Sequence, residues 1–120
     1  MSTLSVSNIS DGTTTVGTGY VVNGSAKAHV NFDGASIAIN SGSLNISSVT
    51  DNSTGKYTPN FSTLFSAVPS ATGGMTVANY PGLMRVNPST GSCQIFCSTS
   101  YSGAYLDSTD TSIQCCGDLA

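Results

Sequence analysis

The four cysteines are the side chains of this sequence best suited to chemistry, and they lie at positions 93, 97, 115 and 116. A tetrathiolate zinc site usually has a Cys-aa-aa-Cys knuckle on each side, but here one pair is separated by three residues and the other is adjacent. On strands, Cys93 and Cys97 share one face, whereas Cys115 and Cys116 point to opposite faces. The sequence therefore leaves two alternatives, a disulfide joining Cys93 or Cys97 to Cys115 or free thiols packed in a core.

The other candidate catalytic side chains form no recognisable constellation. His29 is the single histidine, and no nucleophile elbow accompanies it. We interpret His29 as a surface or subunit-interface residue; the alternative is an ion site formed by three copies at a threefold axis. Asp107 and Asp110 bracket a Ser-Thr pair and are typical of turn caps rather than of paired glycosidase carboxylates. We predict no enzyme, no catalytic residue, no cofactor and no metal.

The elements that would position these side chains are strands. Short runs rich in Val, Ile, Thr and Tyr alternate with Gly, Asn, Asp, Ser or Pro, and this pattern predicts an antiparallel β-sandwich or a small barrel. The Asp33-Gly34 pair predicts a hairpin turn. The predicted strands span residues 4–9, 19–22, 26–32, 36–40, 44–49, 56–61, 75–80, 83–87, 93–98, 101–107 and 112–116.

Length and composition predict one domain with an accessory segment. The 120 residues correspond to a single domain. Residues 1–24 include a polar stretch without a clean period, which predicts a flexible or extended N-terminal attachment arm before a β domain at residues 25–120. The hydrophobic fraction is only 38% and Trp is absent, so we expect partner subunits to complete the core.

Charge and hydropathy exclude other classes of protein. A net charge of −3, with only 8% charged residues, gives no basic face for phosphates, so we expect no nucleic-acid partner. The apolar runs are too short for a membrane span, and the first residues lack the pattern of a signal peptide. We therefore expect synthesis in the cytoplasm and no membrane insertion.

Two stretches resemble a known family. Residues 23–33 read Asn-Gly-Ser-Ala-Lys-Ala-His-Val-Asn-Phe-Asp, and residues 51–61 read Asp-Asn-Ser-Thr-Gly-Lys-Tyr-Thr-Pro-Asn-Phe. Together they resemble the β module at the distal ends of tailed-bacteriophage tail fibres and short free-standing phage virion proteins. The family reads roughly Asn-Gly-Ser-Ala-Lys-Ala-Trp-Val-Asn-Phe and Asp-Asn-Gly-Thr-Gly-aa-Tyr-Thr-aa-Asn-Phe in these stretches, so His29 stands where the family has Trp. The final Gly-Asp-Leu-Ala of residues 117–120 is also similar to the family's terminus.

The resemblance implies a protein on the virion surface, released by lysis. It implies a homotrimeric β module of tail- or head-fibre type, exposed for host attachment, with Tyr80, Tyr101 and Tyr105 as candidate platforms for stacking host cell-surface glycans. In fibres a long shaft precedes this module, whereas here Met1 stands almost directly before it. That difference favours the alternative function, a capsid decoration (cement) protein that stabilises the head lattice. Other virion proteins, of the capsid or the tail, are the expected partners in both cases.

Overall fold

The computed structural model describes residues 1–76, 82–99 and 103–120, and within them ten strands and one short helix follow one another. The elements are β1 (Asn8–Ser10), β2 (Thr15–Gly17), α1 (Thr18–Gly24), β3 (Ala26–Asp33), β4 (Ala38–Leu44), β5 (Ile46–Ser53), β6 (Lys56–Phe61), β7 (Ser70–Thr76), β8 (Gly82–Pro88), β9 (Cys93–Thr99) and β10 (Asp110–Cys116).

Eight of the strands form two four-stranded sheets. The first sheet has the order β4-β3-β10-β7 and the second has the order β5-β6-β9-β8. Every neighbouring pair is antiparallel. The prediction of an all-β antiparallel sandwich is confirmed, and since β4, β7, β5 and β8 remain edges, the described part of the chain forms no closed barrel.

The core lies between the two sheets because apolar side chains alternate along their central strands. Val30 and Phe32 of β3 face Tyr57 and Ile95 of the second sheet, and all four are almost fully buried. The rings of Phe32 and Tyr57 meet edge-on, with centroids 5.3 Å apart and planes at 80°. The two-residue period read from residues 26–32 and 56–61 therefore gave the correct inward faces.

Each stretch that carries the family resemblance contributes to a hairpin. The first stretch includes β3 and ends at Asp33, and the turn predicted at Asp33-Gly34 leads from there into β4. In this turn Asp33 accepts a hydrogen bond from the Ala35 N–H at 2.8 Å. The second spans the end of β5, the turn at Gly55 and β6. The terminal stretch is also part of the fold, because Ala120 N–H donates to the Leu64 carbonyl at 2.8 Å. All three stretches thus have structural roles.

The prediction of a strand over residues 19–22 is wrong, since α1 occupies Thr18–Gly24. The Thr18 N–H donates to the Ser7 carbonyl and its hydroxyl contacts the Val6 carbonyl, which closes the β1–β2 hairpin. No neighbouring strand then lies beside the chain within the described residues, so local helical hydrogen bonds satisfy its backbone. The β-branched Val21 favoured a strand by propensity, but propensity is only a weak prior.

Other strand boundaries also differ from those predicted. β7 begins at Ser70, five residues before the predicted start, because Gly73 and Gly74 weaken the sequence signal of a strand. The predicted strand over residues 101–107 is reduced to an isolated bridge between Ser98 and Tyr105 in its described part. The remainder of the predictions for residues 75–80 and 101–107 lies outside the described residues.

Candidate functional site

The outer face of the first sheet carries a polar groove with a volume of about 590 Å³. Strand register places its side chains in two rows. His29 of β3 lies beside Gln114 of β10, which lies beside Thr72 of β7. The next row contains Asn31, Ser112 and Gly74. Three strands distant in sequence therefore build one surface.

Glycine explains why this surface is concave. A Cβ atom at Gly74 would face the groove and meet only the Ser112 hydroxyl oxygen, at 3.6 Å. At Gly73 the Cβ would instead point inward, 2.8 Å from the Met84 sulfur. Gly42 also lines the groove, and a Cβ there would meet nothing within 4 Å. Missing side chains on β7 and β4 thus leave the space that a ligand would fill.

A short chain of hydrogen bonds fixes one side of the groove. The Asn40 amide donates to the Asn31 carbonyl oxygen at 2.8 Å, and the Asn31 amide donates in turn to Asp110. The Ser112 hydroxyl donates to the Gly74 carbonyl at 3.4 Å. These hydrogen bonds hold the Asn31 and Ser112 side chains in place and leave each of them able to form a further hydrogen bond.

The remaining side chains have hydrogen-bonding capacity to spare. Within the described residues, His29 and Thr72 make no side-chain hydrogen bond, and Gln114 makes only a 4.0 Å contact to the Cys116 sulfur. An imidazole, two hydroxyls and two amides thus face the groove, and no Lys, Arg, Asp or Glu lines it. Such neutral donors and acceptors suit an uncharged polyhydroxylated ligand.

The groove has the side chains of a binding surface, and its serine is not activated. The Ser112 hydroxyl donates to a backbone carbonyl rather than to His29, whereas an activated serine donates to its general base. In residues 1–76, 82–99 and 103–120, no group of three His, Cys, Asp or Glu side chains is arranged to hold a metal ion.

The cysteines lie in the core, away from the groove. Cys93, Cys97 and Cys115 are fully buried free thiols, and Cys116 is half-buried on the opposite face of β10. The neighbouring Cys115 thiol lowers the pKa of Cys93, and burial raises the pKa of Cys97. The predicted disulfide between Cys115 and Cys93 or Cys97 stays a prediction.

Asp107 occupies a structural junction at one end of the sandwich. Its carboxylate accepts hydrogen bonds from the Gly55 N–H at 2.7 Å and from the Tyr57 hydroxyl at 2.6 Å. The neighbouring Ser108 carbonyl accepts a 2.7 Å hydrogen bond from the Gly34 N–H. Residues 107 and 108 thus tie the turns of two hairpins together, whereas the sequence context predicted that Asp107 caps its own local turn.

Of the three tyrosines predicted as glycan platforms, Tyr105 is the one among the described residues, and it does not line the groove. Tyr105 is 46% exposed and lies beside Phe96, with centroids 6.3 Å apart, under the Lys56 ammonium at 4.3 Å. Tyr80 and Tyr101 lie outside the described residues. Tyr105 therefore forms a separate exposed aromatic surface, and its glycan contact remains a prediction.

Sequence reasoning identified His29 as outward-facing but missed its neighbours Thr72, Ser112 and Gln114. The available signal was the alternation along residues 111–115, in which Thr111, Ile113 and Cys115 point inward. The groove itself depends on the pairing of β7 with β10, which no local pattern specifies.

Comparisons with protein-family models, with curated proteins and with solved structures find no match to this chain. The single helix in its described part is far too short and polar to cross a bilayer.

Proposed function

We propose that this chain is a non-enzymatic structural protein of a bacteriophage virion surface. It is a trimeric β module of the tail- or head-fibre type that attaches the particle to its host. The neutral polar groove on the first sheet is the observation that carries the attachment role. The resemblance at residues 23–33, 51–61 and 117–120 supports the assignment to a phage virion.

The chemistry of the groove favours a neutral cell-surface glycan as the ligand. Sugar hydroxyls both donate and accept hydrogen bonds, and the groove offers both kinds of partner through His29, Gln114, Thr72 and Ser112. A phosphate or nucleic-acid ligand would require cationic side chains, and the three Lys and Arg residues of the chain do not line the groove. We infer that the groove, rather than Tyr105, is the principal contact.

The N-terminal segment supports assembly with other subunits. Between residues 1 and 25 no side chain is buried, and apolar Val6, Ile9, Tyr20 and Val22 are all at least 42% exposed. The radius of gyration is 16.7 Å, compared with about 14 Å for a compact domain of this length. An element that buries nothing within its own chain suits contacts with neighbouring copies or other virion proteins.

Substitutions in the groove test the attachment role. We expect His29→Ala together with Gln114→Ala, and separately Gly74→Phe, to weaken binding to host cells or arrayed host glycans at least tenfold. Gly74→Phe fills the groove from a position with open space above it. Both variants are expected to keep the thermal stability of the wild type, because these side chains face outward.

Tyr105→Ala is the matched comparison for those variants. We expect it to leave glycan binding within about twofold, because Tyr105 lies outside the groove. Loss of binding in Tyr105→Ala with full binding in Gly74→Phe would transfer the site to the tyrosine surface. Unchanged binding in all three variants would contradict the attachment role.

A capsid decoration protein is the second candidate, and the exposed N-terminal segment is the observation that favours it. Quantitative mass spectrometry of purified virions distinguishes the two functions by copy number relative to the major capsid protein. The fibre-type function predicts a low multiple of the tail symmetry. A copy number comparable with the capsid protein would instead establish the decoration role.

The oligomeric state in solution tests the proposed trimer. We expect size-exclusion chromatography with light scattering to give three copies for the full chain, with or without reductant. Deleting residues 1–24 is expected to weaken the trimer, because the deleted apolar side chains are exposed in the single chain. A stable monomer of the full chain under both conditions would contradict the shared-subunit argument.

A further inference from the structure

The outer face of the second sheet carries two of the three Lys and Arg side chains of the protein. Strand register places Lys56 of β6 beside Phe96 of β9, and Phe96 beside Arg85 of β8. All three point away from the core, because the residues on either side of them along each strand face inward. The two cations therefore flank one aromatic ring, about 10 Å apart at the backbone, which is twice the spacing of neighbouring strands.

Aromatic rings hold both cations in place. The guanidinium carbon of Arg85 lies over the Phe96 ring, 4.5 Å from its centroid, and the Lys56 ammonium lies over the Tyr105 ring at 4.3 Å. The centroids of the Phe96 and Tyr105 rings are 6.3 Å apart, so the two pairs form one continuous surface. Stacking of this kind restricts the long cationic side chains without using their hydrogen-bond donors.

The donors of these two cations have no acidic partner among the described residues, where neither side chain makes an ion pair or a hydrogen bond. A guanidinium stacked on a ring keeps its N–H groups free at its edge, in the planar fork that matches a carboxylate. The Lys56 ammonium offers three further donors. Since the rings already orient both cations, less side-chain entropy is lost when an anion binds.

We propose that this cationic aromatic surface, formed by Lys56, Arg85, Phe96 and Tyr105, binds a carboxylate-bearing polysaccharide such as a polymer of uronic acids. Arg85 pairs with one carboxylate through its fork, and Lys56 contacts a second carboxylate farther along the polymer. The Tyr105 ring, which is exposed, gives an apolar surface for the C–H face of a sugar ring. Net attraction comes from the two charges, and the rings fix the position of the sugar between them.

The surroundings of the row favour a saccharide over other polyanions. The next outward-facing positions on the three strands are Thr58, Gln94 and Asn87, whose hydroxyl and amide groups suit sugar hydroxyls. Leu83 is the one exposed large aliphatic side chain that the described strands of this face carry, whereas the core of a protein interface is apolar. Two cations on a chain of net charge −3 are too few to follow the phosphates of a nucleic acid.

This site is separate from the groove, because it lies on the outer face of the other sheet. It takes a charged ligand, whereas the groove is lined by neutral side chains. Binding to it is measured on the purified chain, so the inference holds or fails independently of the proposed function.

The test is calorimetric titration of the full chain with a short oligogalacturonate and with its methyl ester, which has the same sugar rings but no charge. We expect the acidic oligosaccharide to bind at least about tenfold more tightly than the ester, and added salt to weaken its binding. Lys56→Gln together with Arg85→Gln is expected to weaken binding at least about tenfold. Lys27→Gln removes the third cation, which contacts the Val22 carbonyl and Ser25 near the helix, and is expected to change the affinity less than about twofold.

Three outcomes overturn the inference. Wild-type protein that binds the acidic oligosaccharide no better than the ester has no carboxylate site. Equal losses in Lys27→Gln and Arg85→Gln would show an effect of net charge alone. Tighter binding of an oligoglutamate than of the oligogalacturonate would make the ligand an acidic peptide. If the double variant fails to fold, Arg85→Lys decides, because it keeps the charge but lacks the planar fork and is expected to bind severalfold more weakly. Gly74→Phe, which fills the groove, is expected to leave this binding unchanged.

Discussion

Gly55→Ala is expected to lower the free energy of unfolding by about 3–5 kcal/mol. Gly55 has φ +65°, where an L side chain is strained, and its added Cβ would lie 2.6 Å from the Cys97 carbonyl oxygen and 2.7 Å from the Leu106 backbone. Backbone cannot rotate away as a flexible side chain can. The Gly55 carbonyl also accepts a 2.7 Å hydrogen bond from Cys97 N–H, so relief of the overlap would break a bond between hairpins.

Gly103 is the matched control, because it has the same φ of +65° but nothing within 4 Å of an added Cβ. Gly103→Ala is expected to cost only the conformational strain, about 1–2 kcal/mol. Urea denaturation of the two variants separates strain from overlap. Equal losses would show that the chain around Cys97 and Leu106 shifts freely and that the junction is not closely packed.

The sequence predicted the inward faces of the sandwich better than its connections. Alternation at Ala28, Val30 and Phe32 is a local property, and burial of these residues follows it directly. Whether β3 pairs with β10 depends on residues some eighty positions apart, and no hydrophobic period encodes that choice. The sandwich was therefore predictable, whereas the strand order was not.

The same distinction applies to the candidate site. His29 was predicted to face outward, and it lines the groove. The groove also needs Gly74 at the same level of the sheet as Ser112, which depends on the register of β7 with β10. Glycines that would count against a strand by propensity are what make this surface concave. Because the groove is formed where glycines have no side chains, a single sequence contains little that would predict it.

The N-terminal helix illustrates a different limit. Val21 and Val22 favour a strand, yet a strand forms only where a neighbour offers its backbone. Closure of the β1–β2 hairpin through Thr18 leaves none in the described part of the chain, and α1 buries no side chain. Its conformation is thus determined by local backbone hydrogen bonding.

Asp107→Ala is expected to lower the free energy of unfolding by about 2–3 kcal/mol, because two donors then lose a charged acceptor. The Gly55 N–H and the Tyr57 hydroxyl both donate to one oxygen of this carboxylate. Asp107→Asn retains an oxygen at that position and is expected to cost about 1 kcal/mol. Similar losses in the two variants would show that charge, rather than the acceptor atom, is what the junction requires.

The same junction makes stability depend on alkaline pH through Tyr57. Burial raises the pKa of Tyr57 well above its ordinary value of 10.0, and the hydrogen bond to Asp107 and the negative charge of that carboxylate raise it further. The folded state therefore binds the tyrosine proton more tightly than the unfolded state. By linkage, this contribution is fully present below about pH 10 and is lost as the pH rises from there toward the raised folded pKa.

Tyr57→Phe removes that proton and the hydrogen bond but keeps the ring against Phe32. We expect the variant to be less stable than the wild type at neutral pH, with a stability difference that shrinks as the pH rises above about 10. Tyr20→Phe, at an 80% exposed ring, controls for the general effect of losing a phenol. Urea denaturation at a series of pH values measures both differences. A Tyr57→Phe difference that stays constant from neutral to strongly alkaline pH would show that the phenol does not keep its proton in the folded state, and that the Asp107 junction contributes through packing alone.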